Sequence, residues 1–74
     1  MALADYTQLI VYNDTDGVVH ISDIEVTIPK HGKVDLLSVA ELEQLTRSFD
    51  IRLALESGWI RFLNSDIQAL WPLT

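Results

Sequence analysis

The sequence predicts a small α+β domain: a mostly antiparallel β-sheet with one or two short helices packed on one face. Three stretches carry that prediction. Residues 6–12 are rich in β-formers. Residues 23–28 alternate strictly between polar and apolar, the period of a strand. Residues 48–63 combine a capped helix start, a glycine stop and a second alternating run.

Taken in order, residues 6–12 (Tyr-Thr-Gln-Leu-Ile-Val-Tyr) form the first predicted strand, with Leu9 and Val11 on one face and Gln8, Ile10 and Tyr12 on the other. Residues 13–17 (Asn-Asp-Thr-Asp-Gly) favour bends and make a turn. A second extended region covers 18–28, with Ser22-Asp23 as a point where it can break into two short strands. Ile24, Val26 and Ile28 are expected to face the core, and Asp23, Glu25 and Thr27 to face water or a partner. Residues 29–32 (Pro-Lys-His-Gly) form a tight turn, and 33–36 return as a strand, so 24–36 read as a hairpin.

Ser38 and Glu41 have the spacing of a capping box, with Leu37 and Leu42 placed as its hydrophobic staple. A first helix then runs to about Arg47, carrying Val39, Leu42 and Leu45 on one stripe. Ser48 restarts the capping signal, which implies a corner between two helices, one bent helix being the alternative. In the second helix, Asp50 suits the positive end of the dipole, and Ile51, Ala54 and Leu55 share a face. Gly58 ends this helix, Trp59 folds back on it, and residues 59–63 are the last strand. The predicted core is Leu9, Val11, Ile24, Val26, Ile28, Val34, Leu42, Leu45, Ile51, Leu55, Ile60 and Phe62.

Composition narrows the function. Seventy-four residues make one domain, 1–74, with 64–74 as an apolar C-terminal tail. A chain this short buries only about 60–65% of its unfolded surface, so it gains from a partner. It has no cysteine, which removes disulfides and thiolate metal sites. A net charge of −6 argues against nucleic-acid and anionic-membrane partners, both of which select basic surfaces. Neither a signal peptide nor a membrane-spanning run is visible, which points to synthesis in a cytoplasm.

Reactive constellations are weak. His20 and His31 supply too few ligands for zinc, each having one acidic neighbour, Asp23 and Asp35. The run Asp14-Thr15-Asp16-Gly17 lacks the further ligands of a calcium loop. The sequon Asn13-Asp14-Thr15 reads as a turn. The pairs Asp23/Glu25 and Glu41/Glu43 read as solvated acidic faces, and Ser38 and Ser48 as caps. The glycines, at 17, 32 and 58, build no phosphate loop. The expectation is therefore a protein that is not an enzyme and has no cofactor, metal or small-molecule substrate. The tail stands apart. Ile67, Leu70, Trp71 and Leu73 have two possible destinations: back over the domain's own sheet, or onto a neighbouring subunit as a docking anchor.

Residues 23 to about 66 also resemble small structural proteins of tailed-bacteriophage virions. The likeness lies in Ile-Glu-Val-Thr-Ile-Pro-Lys-His-Gly-Lys-Val-Asp-Leu, in Glu-Leu-Glu-Gln-Leu, and in Ser-Phe-Asp-Ile-Arg-Leu-Ala-Leu-Glu-Ser-Gly followed by a strand. The resemblance implies a non-enzymatic capsid, neck or tail component. Such a protein binds other virion proteins and copies of itself, and is made in the bacterial host cytoplasm and located in the virion. The alternative from charge and apolarity is a small acidic cytoplasmic regulator that masks a basic protein partner.

Overall fold

Central strand β1 (Ile10–Asn13) runs antiparallel to two neighbours, β4 (Lys33–Asp35) and β5 (Ile60–Phe62), in a computed structural model that describes residues 5–71. Val11 sits between Val34 and Phe62, and Tyr12 between Lys33 and Arg61. Strands β2 (Val19–Ile21) and β3 (Val26–Ile28) pair antiparallel in a second, two-stranded sheet. Three short helices follow the strand-rich half: α1 (Leu42–Thr46), α2 (Phe49–Glu56) and α3 (Ser65–Leu70), the last two on either side of β5 in the chain. The fold is α+β, the predicted class, with its strands divided between two small antiparallel sheets.

The division of the sheets corrects the hairpin expected at 24–36. Strand β3 turns back on β2, and β4 crosses to β1. The reason lies in Asn13, at the end of β1. Its Nδ2 donates to the carbonyls of Ile28 (3.0 Å) and Pro29 (3.1 Å), and its backbone N–H donates to the Gly32 carbonyl (2.9 Å). The connection between β3 and β4 is thus bound to β1, and Pro29 brings no amide of its own to a ladder. The Pro29–Gly32 turn itself closes as expected, by a 2.8 Å bond from Gly32 N–H to the Pro29 carbonyl. His31 takes the left-handed conformation there, with φ of 53°.

The alternation through residues 23–28 is also interrupted. Residues 22–25 form the turn between β2 and β3, with Glu25 at φ of 51° and its N–H bonded to the Ser22 carbonyl. The break foreseen at Ser22-Asp23 is real, and only Val26, Thr27 and Ile28 are strand. Strand β1 likewise starts later than residue 6. The Leu9 amide is taken by the Asp35 carboxylate at 2.9 Å, which ends regular pairing there.

Asp35 overturns the capping box too. Its carboxylate accepts from Leu37 N–H, so the chain enters a 3₁₀ turn at Leu36–Ser38. The Ser38 hydroxyl bonds back to the Asp35 carbonyl and caps nothing. Helix α1 starts at Leu42 behind Glu41, which makes no side-chain cap. An aspartate three residues upstream competed with the serine for the same role and won, because it also holds the Leu9 amide.

From Ser48 to Phe62 the local signals agree with the structure, whereas the stretch expected as an apolar tail forms a third helix, α3, beyond the one or two predicted. The Ser48 hydroxyl accepts from Ile51 N–H at 3.1 Å, and Arg47-Ser48 separates α1 from α2. Gly58 is left-handed, with φ of 78°. Trp59 N–H reaches the Ala54 carbonyl (2.9 Å) and Gly58 N–H the Leu55 carbonyl (3.2 Å), the double bond pattern of a Schellman stop. Ile51 and Ala54 face inward, and Ile60 and Phe62 continue the core beyond the stop.

Of the predicted core, Leu9, Val11, Val26, Ile28, Leu45, Ile51, Ile60 and Phe62 are buried. Ile24, Val34, Leu42 and Leu55 pack against its margin. Val19, Ile21, Leu36, Ala54, Ile67 and Trp71 join it from outside the predicted core, Ala54 from the expected apolar face of α2 and Ile67 and Trp71 by the fold-back alternative for the tail. Leu36 lies two residues beyond Val34 and Ala54 one residue before Leu55, Val19 and Ile21 belong to β2, and Ile67 and Trp71 come from the tail.

Candidate interaction surface

The tail residues offered as a docking anchor separate once they are placed. Ile67 is buried in the chain's own core, and Trp71, 8% exposed, lies against Phe62 with ring centroids 5.1 Å apart. Leu70 is half-buried at the edge of the same cluster. Leu73 lies outside the described residues. The fold-back destination thus holds for Ile67 and Trp71, and neither is available as a protruding arm. The cause is local: Asn64 caps α3 by accepting from Asp66 N–H, and Gln68 Oε1 accepts from Phe62 N–H at 2.9 Å, which draws the helix back along β5.

A polar junction joins the β2–β3 turn to the start of α2. The Asp23 carboxylate accepts from the Ser48 hydroxyl at 2.7 Å and lies 3.4 Å from Asp50 N. The Asp50 carboxylate accepts in return from the Ser22 hydroxyl (2.5 Å) and the Asp23 amide (3.2 Å). Both carboxylates stand at the positive end of the α2 dipole. Asp23, expected on an open strand face, is therefore committed to a helix cap.

The Ser22 hydroxyl lowers the Asp50 carboxyl below its ordinary value of 3.8. Desolvation opposes it, and the Asp23 and Ser22 amides and the charge of His20 assist. A depressed carboxyl stabilises the fold fully above its unfolded value and loses that contribution as pH falls through the folded value. Asp50→Asn is therefore expected to flatten the acid limb of the stability curve below about pH 3.8, with thermal melting followed from neutral pH downward. Identical acid limbs for the two proteins would show that the junction is not formed in solution.

The outward side of α2 is apolar as well as its inward side. Five of its eight residues are apolar, and Phe49 and Leu53, one turn apart, point away from the core. Phe49 is 69% exposed. The start of α2 is tied to the turn after β2, where Asp50 bonds Ser22, and Trp59, three residues past the end of α2, borders a hollow of about 250 Å³ with Val18, Val19 and His20. Phe49, Leu53, Trp59 and Val18 are all exposed large apolar side chains. A second hollow, about 390 Å³ and open to solvent, lies where α1 meets α2, lined by Asp23, Ile24, Glu41, Glu43, Gln44, Arg47 and Ser48. Sequence reasoning missed this outward stripe. Its signal was the spacing of Phe49 and Leu53, hidden beside the stronger inward stripe of Ile51, Ala54 and Leu55.

The remaining candidates fall into structural places. His20 Nδ1 pairs with the Thr27 hydroxyl across β2 and β3 at 2.9 Å. His31 lies 3.3 Å from Asp16 and 3.4 Å from the Tyr12 hydroxyl. Arg61 covers the Tyr12 ring at 5.0 Å and pairs with Asp14 at 3.0 Å. Among the described residues, no group of three or more His, Asp or Glu has the geometry to hold a metal, and no helix is long and apolar enough to cross a membrane. The sequon nitrogen, Asn13 Nδ2, is inside the fold and bonded to carbonyls. Compared with protein-family models, with curated proteins and with solved structures, the chain matches none of them.

Proposed function

We propose that this chain is a non-enzymatic structural protein that docks on other proteins, and that its setting is the virion of a tailed bacteriophage. There it binds neighbouring capsid, neck or tail proteins in a symmetric assembly. The observation that carries the docking role is the outward face of α2. Water-exposed aromatic and aliphatic side chains grouped on one element are a feature of interaction sites. Phe49 and Leu53 form such a pair on α2, and Trp59 and Val18 are further exposed apolar side chains on a domain too small to bury them all.

The virion setting rests on the resemblance through residues 23 to about 66. The capped helix start at Ser48, the glycine at 58 and the closing strand Ile60–Phe62 of that pattern are features of this fold. A second reading, a small acidic regulator that masks a basic protein, is favoured by the net charge of −6. Mass spectrometry of gradient-purified particles, set beside sedimentation of the isolated protein, discriminates the two. A virion component is expected at stoichiometric amounts in the particles. A protein that is missing from particles and purifies in a stable complex with a basic host protein would sink the virion setting.

A further inference from the structure

We infer that the segment docked on the outward face of α2 is a basic one, which sets an apolar side chain against Phe49 and Leu53 and a lysine or arginine in the hollow at Glu41 and Glu43; the inference rests on the docking role proposed above.

The apolar face and the hollow are adjacent. Ser48 forms part of the hollow's wall, and Phe49 is the next residue, the first of α2. The charges around the hollow are unequal. Asp23, Glu41 and Glu43 line it, and Arg47 is the one cation among its lining residues. The Arg47 guanidinium is already held by Glu43 at 2.9 Å, and the Asp23 carboxylate by the Ser48 hydroxyl. Glu41 is exposed and makes no ion pair or side-chain hydrogen bond among the described residues. An incoming cation meets a free carboxylate there, flanked by two more.

Charge also selects among occupants. A second copy would bring the same acidic hollow and another net −6 to the interface, and like charges brought together oppose association. Nucleic acid is repelled for the same reason. A neutral apolar segment would cover Phe49 and leave Glu41 partly desolvated without a partner, which is costly. A segment with both apolar and basic side chains satisfies both parts of the surface. The carboxylates are solvent-exposed, so added salt, which shortens the Debye length from about 8 Å at physiological strength to about 3 Å at 1 M, weakens the attraction.

The test uses a random-sequence peptide library selected on the wild-type protein and counter-selected on Phe49→Ser. Phe49 is exposed, so this variant is expected to melt like the wild type. Leu53→Ser serves as the second counter-selection should Phe49→Ser not fold. The expected binders depend on Phe49, carry more lysine and arginine than aspartate and glutamate, and weaken as salt rises. For a representative peptide, Phe49→Ser is expected to cost about tenfold or more in affinity, the usual scale of a buried aromatic anchor. Glu41→Lys is expected to weaken the same peptide and to remove the basic bias when the selection is repeated. Phe49-dependent binders without a basic bias would overturn the charge assignment and leave the docking face standing. Absence of any Phe49-dependent binder would overturn both. A wild-type dimer that Phe49→Ser dissociates, seen by sedimentation velocity, would make a second copy the occupant and would also overturn the inference.

Discussion

Asn13→Ala is expected to destabilise the protein by about 3 kcal/mol or more, because each buried polar group left without its partner costs roughly 1–3 kcal/mol. Asn13 is fully buried and works as a hub. Its Nδ2 faces the carbonyls of Gly17 (2.8 Å), Ile28 (3.0 Å) and Pro29 (3.1 Å). Its Oδ1 accepts from the Thr15 amide (2.8 Å) and the Thr15 hydroxyl (2.7 Å). One amide group therefore closes the 14–17 turn and ties the two sheets together. Alanine would strand several of these groups and leave a cavity. In a domain of this size, whose total stability is on the order of 4–11 kcal/mol, the midpoint of thermal unfolding should fall by more than about 12 °C. Asn13→Asp separates the two halves of the hub. It keeps an oxygen for Thr15 but sets a carboxylate against three carbonyls, so it should be at least as damaging as alanine near neutral pH. Circular dichroism melting reads both variants. A midpoint unchanged in Asn13→Ala would show that the hub is not what joins the sheets.

That hub marks a limit of what the sequence makes legible. Local signals transferred well where one residue type met one backbone demand. Ser48 caps α2, Asp50 sits in its first turn, and Gly58 ends it at a positive φ. Burial followed at Ile51, Ala54, Ile60 and Phe62, where the apolar period was backed by such a boundary, with Leu55 half-buried beside them. The failures share a different physics. The sequence pattern puts Asn13 in a turn, Asp23 facing water or a partner and Asp35 in a short strand, and each uses its side chain to hold backbone or hydroxyl groups far away in sequence. Those bonds decided that β3 and β4 do not pair, that the alternation at 23–25 is a turn, and that the capping box at Ser38 does not form. A short polar side chain has several partners within reach of any pattern, and only the tertiary structure chooses among them. The outward stripe of α2 was overlooked for another reason. Period analysis assigns one apolar face per helix, and here Phe49 and Leu53 add a second that the chain itself does not cover.

Trp71→Ala is expected to be as severe as the loss of the hub, at about 3–5 kcal/mol, the usual cost of emptying a buried aromatic site. An anchor reserved for a neighbour would instead be exposed in the isolated chain and cheap to remove. The packing decides between these. Trp71 is 8% exposed and tilted 49° against Phe62, whose ring belongs to β5 and thus to the central sheet. Its backbone N–H completes the last bond of α3, to the Ile67 carbonyl at 3.1 Å. Ile67 itself is buried, so the end of α3 and the sheet share one apolar contact layer. Removing the indole exposes Phe62 and loosens a helix of only six residues, too short to persist without tertiary packing. Chemical denaturation of the isolated protein measures the effect, with Phe49→Ser as the contrast. The tryptophan variant should shift the midpoint strongly and the phenylalanine variant hardly at all, whereas binding to neighbours should respond in the opposite order. A Trp71→Ala protein that keeps its stability but loses its partners would return the docking role to the tail.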